Sequence, residues 1–86
     1  MKTLIENYSP SYCSKVVKHT MDGKDVRFKI VAESDKCYYR LSIFIQTLNN
    51  DFVKVAMEDD IPGYIYVNYV SKDNIKAAED YIEKVF

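Results

Sequence analysis

The dipeptide Asp22-Gly23, set between two runs of alternating apolar and polar residues, is the feature that most constrains the fold. A two-residue hairpin turn needs positive φ at both positions, which glycine adopts freely and aspartate tolerates. Such a turn places Met21 opposite Lys24 and, further from the turn, Val17 opposite Phe28. The sequence therefore predicts an antiparallel hairpin over residues 12–33, with a register fixed by the turn.

The two faces of this hairpin differ in chemistry, because successive side chains of a strand point to opposite sides. The apolar face carries Val17, Val26, Phe28, Ile30 and Ala32. The other face carries Lys18, Arg27 and Lys29, together with Val16. We expect the first face to be covered and the second to meet solvent.

A second hairpin is predicted over residues 38–58, with a loop at 49–51 that pairs Ile45 with Val55 and Gln46 with Lys54. The β-branched and aromatic residues of this run favour strands. An alternative remains open, because apolar residues between 35 and 49 also recur at helical spacing, with Ser34 as a possible N-cap. In that case, residues 35–49 form a helix and the element order is ββαββα.

The remainder of the chain predicts one more strand and a helix. Pro62-Gly63 marks a turn, and the run at 64–70 reads as a strand with Tyr64 and Tyr66 on one face. The apolar stripe that follows Ser71 or Asp73 predicts a C-terminal helix, formed by Ile75, Ala78, Tyr81, Ile82 and Val85. Residues 1–7 fit either an extra edge strand or a helical turn. The prediction is an α+β fold, in which an antiparallel sheet of four to five strands has a C-terminal helix packed on one face.

Size and composition limit the class of protein. A chain of 86 residues suits a single domain spanning 1–86, and its 48% hydrophobic content is too high for a disordered chain. It has no apolar run of about 18 residues that could span a membrane, and its start lacks a signal-peptide pattern. We therefore expect a cytoplasmic protein.

Few residues could carry chemistry. His19 is the single histidine and has no nucleophile or carboxylate beside it in a known motif, and Cys13 and Cys37 lack metal-site spacing. Two glycines cannot build a phosphate-binding loop, and the acidic run Glu58-Asp59-Asp60 lacks the alternating oxygen ligands of a calcium loop. We expect a non-enzymatic protein with no catalytic residues, no metal and no cofactor.

Charge and tyrosine content indicate binding surfaces instead. Residues 1–40 hold eight basic and five acidic groups, net +3, whereas residues 41–86 hold four basic and eight acidic groups, net −4. The sequence is also rich in tyrosine, a residue common at protein interfaces, with eight in all. The leading prediction is a protein-binding module whose partner contacts are Tyr64, Tyr66, Glu58, Asp59 and Asp60.

Two further possibilities remain open. One is a small RNA- or DNA-binding module that uses the basic hairpin face of Lys18, Arg27 and Lys29. The other is homodimer formation through an edge strand. In size, composition and order of elements the chain resembles the small accessory proteins encoded by phages of AT-rich hosts. That resemblance implies an inhibitor that binds one host protein, such as a component of defence or transcription, in the host cytoplasm.

Overall fold

The computed structural model describes residues 2–9, 11–35 and 37–86, with side chains from Ser9 onward. Its strands pair in chain order to form one antiparallel sheet. The sheet comprises β1 (Lys2–Ser9), β2 (Tyr12–Met21), β3 (Lys24–Ser34), β4 (Tyr39–Gln46) and β5 (Phe52–Met57). A short 3-10 turn, Glu58–Asp60, follows β5, and the helix α1 (Lys72–Val85) closes the chain. The α+β prediction, a sheet with a C-terminal helix, is confirmed.

The first hairpin has the predicted register. Asp22 and Gly23 adopt φ values of 51° and 77°, as the two-residue turn requires. Met21 then pairs with Lys24 and Val17 with Phe28, without interruption along β2 and β3. Lys18, Arg27 and Lys29 therefore share one face of the sheet, as the alternation predicted.

The second hairpin is formed by strands, so the helical alternative for residues 35–49 is wrong, but the predicted register is wrong as well. Ile45 pairs with Val53 rather than with Val55, because the loop is longer than the predicted 49–51 and runs from Thr47 to Asp51. Asn50 adopts a φ of 67°, and its N–H donates to the Thr47 carbonyl at 3.0 Å. A β-bulge then shifts the register by one residue beyond this loop.

The strand predicted at 64–70 is absent, and β1 supplies the fifth strand of the sheet instead. The backbone of Ile65, which a strand would use for sheet pairing, is bound by a side chain of α1. The Ile65 N–H donates to Asn74 Oδ1 at 2.7 Å, and Asn74 Nδ2 donates to the Ile65 carbonyl at 2.8 Å. This pair of hydrogen bonds satisfies both backbone polar groups of Ile65 without a neighbouring strand.

The helix packs against β2 and β3 on one side of the sheet. Ser71 is its N-cap, and Ile75, Ala78 and Ile82 of the predicted stripe are buried. Val85 is exposed, contrary to prediction. Glu79 of α1 is half-buried and forms an ion pair with Lys15 of β2, with N···O 3.2 Å.

The core lies between the sheet and two covering segments. Phe28, Ile30, Leu41, Ile43 and Ile82 are among its fully buried side chains. Ile61 and Val70, from the connection between β5 and α1, belong to the same buried cluster. We call the side beneath this cover the covered face and the opposite side the open face, and α1 leaves the open face uncovered.

Candidate functional site

Three tyrosines form a continuous stack that runs from the core to the surface. Tyr39, at the start of β4, is buried and its ring centroid lies 5.6 Å from that of Tyr64. Tyr64 is half-buried, and its ring meets Tyr66 edge-on at 5.1 Å. Tyr66 is 72% exposed. The predicted neighbours Tyr64 and Tyr66 therefore do lie together, although the segment that carries them is not a strand.

Beside this stack lies an open groove of about 540 Å³, which we call the tyrosine groove. Its lining residues are Cys37, Tyr38, Tyr39, Tyr66, Val67, Asn68 and Tyr69. Tyr38 and Tyr69 are 47% and 56% exposed, so three exposed tyrosines share one concave surface. In a strand over 64–70, Tyr69 would lie on the face opposite Tyr64 and Tyr66, so the sequence did not indicate it as a candidate.

Side-chain hydrogen bonds hold both walls of the groove. Asp35 accepts the N–H groups of Cys37 and Tyr38 at 2.8 and 3.0 Å, and these bonds lower the pKa of its carboxyl group. On the other wall, the Ser34 hydroxyl donates to the carbonyl of Asn68. The end of β3 therefore fixes both segments that carry the exposed tyrosines.

The three carboxylates of the 3-10 turn have different surroundings. Glu58 accepts the Leu41 N–H at 3.2 Å, and Asp60 accepts the Met57 N–H at 3.0 Å, so both are bonded to the protein's own backbone. Asp59 instead accepts the Tyr66 hydroxyl at 3.0 Å, and this hydrogen bond raises the Tyr66 pKa. Among the three, Asp59 is the carboxylate bonded to a tyrosine of the groove.

Tyr64 supports the groove without lining it. Its hydroxyl oxygen is buried and has no hydrogen-bond partner among the residues that the structure describes. Burial raises the pKa of this hydroxyl, and the nearby carboxylates add to the effect. We conclude that Tyr66 can contact a partner directly, whereas Tyr64 holds Tyr66 in place.

The open face of the sheet carries the basic residues of the alternative prediction. Lys18 pairs with Arg27 across β2 and β3, and Lys29 lies on the same face. The Lys29 ammonium lies 5.5 Å from the ring centroid of Phe52, a cation–π contact with a residue of β5. The sequence-based register had not placed Phe52 near this basic group.

The single histidine and the two cysteines have different surroundings. The His19 ring packs edge-on against Phe28 at 6.1 Å. Cys13 is buried, which raises its thiol pKa, whereas Cys37 is exposed. Across the described ranges, histidine, cysteine and carboxylate side chains form no group of three that could hold a metal ion. In the same part of the chain, no helix has the length and apolar character to cross a membrane.

Comparison with known proteins gave no relative. Neither the models of known families, nor the curated proteins, nor the solved structures contain a match to this chain.

Proposed function

We propose that this protein is a non-enzymatic binding module that engages a protein partner through the tyrosine groove. The observation that carries the proposal is the presence of three exposed tyrosines, Tyr38, Tyr66 and Tyr69, along one concave surface. Tyrosine is enriched at protein interfaces because it adds a large apolar area and a polar tip while losing little conformational entropy. A groove of this kind suits recognition better than chemistry.

The groove is held in shape before any partner binds. The ring stack below Tyr66 and the hydrogen bond from its hydroxyl to Asp59 restrict its side chain. Asp35 restricts the backbone at Tyr38 in the same way. Less side-chain entropy is then lost on association, which favours affinity.

The chemistry of the groove points to an extended, proline-containing segment that carries a basic residue. Proline-rich segments dock onto grooves lined by aromatic rings, because their extended helix is already formed. The carboxylates of Asp35 and Asp59, each bonded to a groove residue, favour a cation in the bound segment. The groove also has a cation of its own nearby, because the Arg40 guanidinium lies 4.9 Å from the Tyr38 ring centroid. That guanidinium already has an acidic neighbour, the Glu33 carboxylate at 3.8 Å.

Occupying a partner's surface in this way is sufficient for inhibition. Inhibition of one host protein is the role implied by the resemblance to phage accessory proteins. The partner site that we propose keeps Tyr66 and Asp59, adds Tyr38 and Tyr69, and assigns Tyr64, Glu58 and Asp60 to its support.

The test uses two synthetic peptides and the full chain. One peptide is proline-rich with a single arginine, and the other has glutamate in place of that arginine. We expect the basic peptide to bind and to shift the NMR signals of residues 37–40 and 66–69, and the acidic peptide to bind at least about tenfold more weakly.

The double variant Tyr66→Ala/Tyr69→Ala should lose about tenfold or more in affinity for the basic peptide, since exposed aromatic anchors dominate such contacts. Leu48→Ala is the control, because Leu48 is exposed on the β4–β5 loop outside the groove lining. Unchanged binding by the double variant, with an unchanged unfolding midpoint, would overturn the proposal. Binding of neither peptide would overturn it as well.

A further inference from the structure

The open face of the sheet concentrates positive charge. Its described cations lie on four strands: Lys18, Arg27, Lys29, Arg40 and Lys54. The described carboxylates on that face are Asp25 and Glu33, and each has a partner of its own. The Thr20 hydroxyl donates to Asp25 at 3.2 Å, and Arg40 lies 3.8 Å from Glu33. Five cations therefore face two carboxylates, and we call Lys18, Arg27, Lys29 and Lys54 the basic strip.

Aromatic rings lie within this strip. The pairing of the strands sets Lys29, Phe44 and Lys54 side by side in one row across β3, β4 and β5. The Lys54 ammonium lies 6.0 Å from the Phe44 ring centroid, and the Lys29 ammonium lies 5.5 Å from that of Phe52. Phe44 is half-buried and Phe52 is exposed. Each ring has a lysine ammonium beside it and lies on the face that α1 leaves uncovered.

The acidic residues of the helix lie on the other side of the sheet. Asp73, Asp80 and Glu83 are exposed on α1, which packs on the covered face. Lys72, Lys76 and Lys84 of the same helix are exposed as well, so the exposed charges of α1 cancel. The excess of positive charge among the described residues therefore lies on the open face of the sheet. An anionic ligand that approaches the open face meets an attractive local field despite the nearly neutral total.

We propose that the open face binds single-stranded nucleic acid. In the bound state, Lys18, Arg27, Lys29 and Lys54 contact phosphates, and bases stack on the rings of Phe44 and Phe52. The two lysines now beside these rings have the length to turn toward phosphate as bases replace them. Alternating cations and aromatic rings match a strand in which phosphates alternate with unpaired bases. A duplex keeps its bases stacked inside and cannot use the rings.

This inference concerns a different surface and a different class of ligand from the tyrosine groove. Either proposal can therefore fail without the other. It extends the basic hairpin face by adding a fourth cationic residue, Lys54 of β5, and two stacking rings.

The first experiment measures fluorescence anisotropy of labelled oligonucleotides of one sequence as single-stranded RNA, as single-stranded DNA and as DNA duplex. We expect saturable binding of a single strand at low salt, and at least about fivefold weaker binding of the duplex, since stacking on one ring contributes about 1 kcal/mol or more. Preference between RNA and DNA identifies the source of the strand, and either preference supports the proposal. Equal affinity for duplex and single strand would overturn it.

The second experiment separates charge from stacking. Lys29→Gln/Lys54→Gln should weaken binding and should make the slope of log K against log salt shallower by about 1.4, since each phosphate contact on a single strand contributes about 0.7. Phe44→Leu/Phe52→Leu should weaken binding about fivefold or more while leaving that slope unchanged. The matched control is Lys76→Gln/Lys84→Gln, which removes two exposed lysines of α1.

Unfolding midpoints of all variants are measured in parallel, so that a loss of binding is compared among folded proteins. Equal losses from the sheet and helix lysine pairs would show nonspecific charge attraction and overturn the proposal. Binding of a polyglutamate peptide to the open face, without binding of any oligonucleotide, would assign the face to an acidic protein and also overturn it.

Discussion

The same residue types have different surroundings and different roles on the two faces of the sheet. On the covered face, Phe28 is fully buried and its ring lies 5.0 Å from that of Phe86 at the end of α1. On the open face, Phe44 lies one strand away, and the group beside its ring is a lysine ammonium. The Phe28 ring, buried beneath the helix, is part of the hydrophobic core. The Phe44 ring, with a lysine ammonium beside it, remains accessible to solvent and ligands. Each prediction below therefore pairs a residue of the covered side with its counterpart on the open side or at its edge.

The phenylalanines should show the largest difference. Phe28→Ala removes a fully buried ring and should lower the free energy of unfolding by about 3–5 kcal/mol. Phe44→Ala removes a half-buried ring and should lower it by about 1–2 kcal/mol. Urea denaturation followed by circular dichroism measures both, with Phe28→Leu as a milder substitute if Phe28→Ala does not fold. Equal losses would mean that the open face is a second core.

The buried amide of Asn74 and the half-buried amide of Gln46 should differ next. Asn74 is fully buried and uses both polar atoms on the backbone of Ile65, so Asn74→Ala should cost about 2–3 kcal/mol. Gln46, on the open face, makes a long 3.5 Å bond to the Asn50 carbonyl, and Gln46→Ala should cost less than about 0.5 kcal/mol. Denaturation gives both values. Asn74→Asp buries a carboxylate and sets one of its oxygens against the Ile65 carbonyl, so it should cost at least as much as Asn74→Ala. A neutral Asn74→Ala would contradict the account of the 64–70 segment.

The ion pairs should show the smallest difference. Lys15 and Glu79 join β2 to α1, with side chains only 15% and 18% exposed, so Glu79→Gln leaves a half-buried ammonium and should cost about 1–2 kcal/mol. Glu33 and Arg40 are about half exposed and 3.8 Å apart, and Glu33→Gln should cost less than about 0.5 kcal/mol. Thermal unfolding at low and high salt distinguishes them, because only the exposed pair should be strongly screened. A larger loss from Glu33→Gln would reverse the comparison.

The parts of the fold that could be predicted from sequence are those fixed by local chemistry. Asp22-Gly23 determines one hairpin by its backbone preference, and the stripe from Ile75 to Ile82 determines the helix by its periodicity. The register between β4 and β5 escaped prediction because it depends on Asn50 in the left-handed conformation and on a bulge. Neither feature changes the alternation of apolar residues enough to be recognised.

The candidate site could not be predicted because it depends on a contact between the 64–70 segment and α1. The run from Tyr64 to Val70 alternates like a strand, but Asn74 takes the backbone groups of Ile65 and leaves the run irregular. That irregular path brings Tyr69 into the same groove as Tyr66, which strict alternation would not do. The sequence also could not distinguish Asp59 from its neighbours Glu58 and Asp60. Their different hydrogen-bond partners are set by the turn that the three residues form.

The bulge in β5 has a consequence for how the chain meets copies of itself. β5 is one of the two outer strands of the sheet, and its side chains Val53, Val55 and Met57 are exposed. A straight, apolar outer strand would be a template for another chain to extend the sheet, and repeated extension leads to fibres. The extra residue at Val55 interrupts the regular spacing of backbone donors and acceptors after only a few residues. We therefore expect the backbone geometry of β5 to disfavour sheet growth from this edge, although its exposed side chains are apolar.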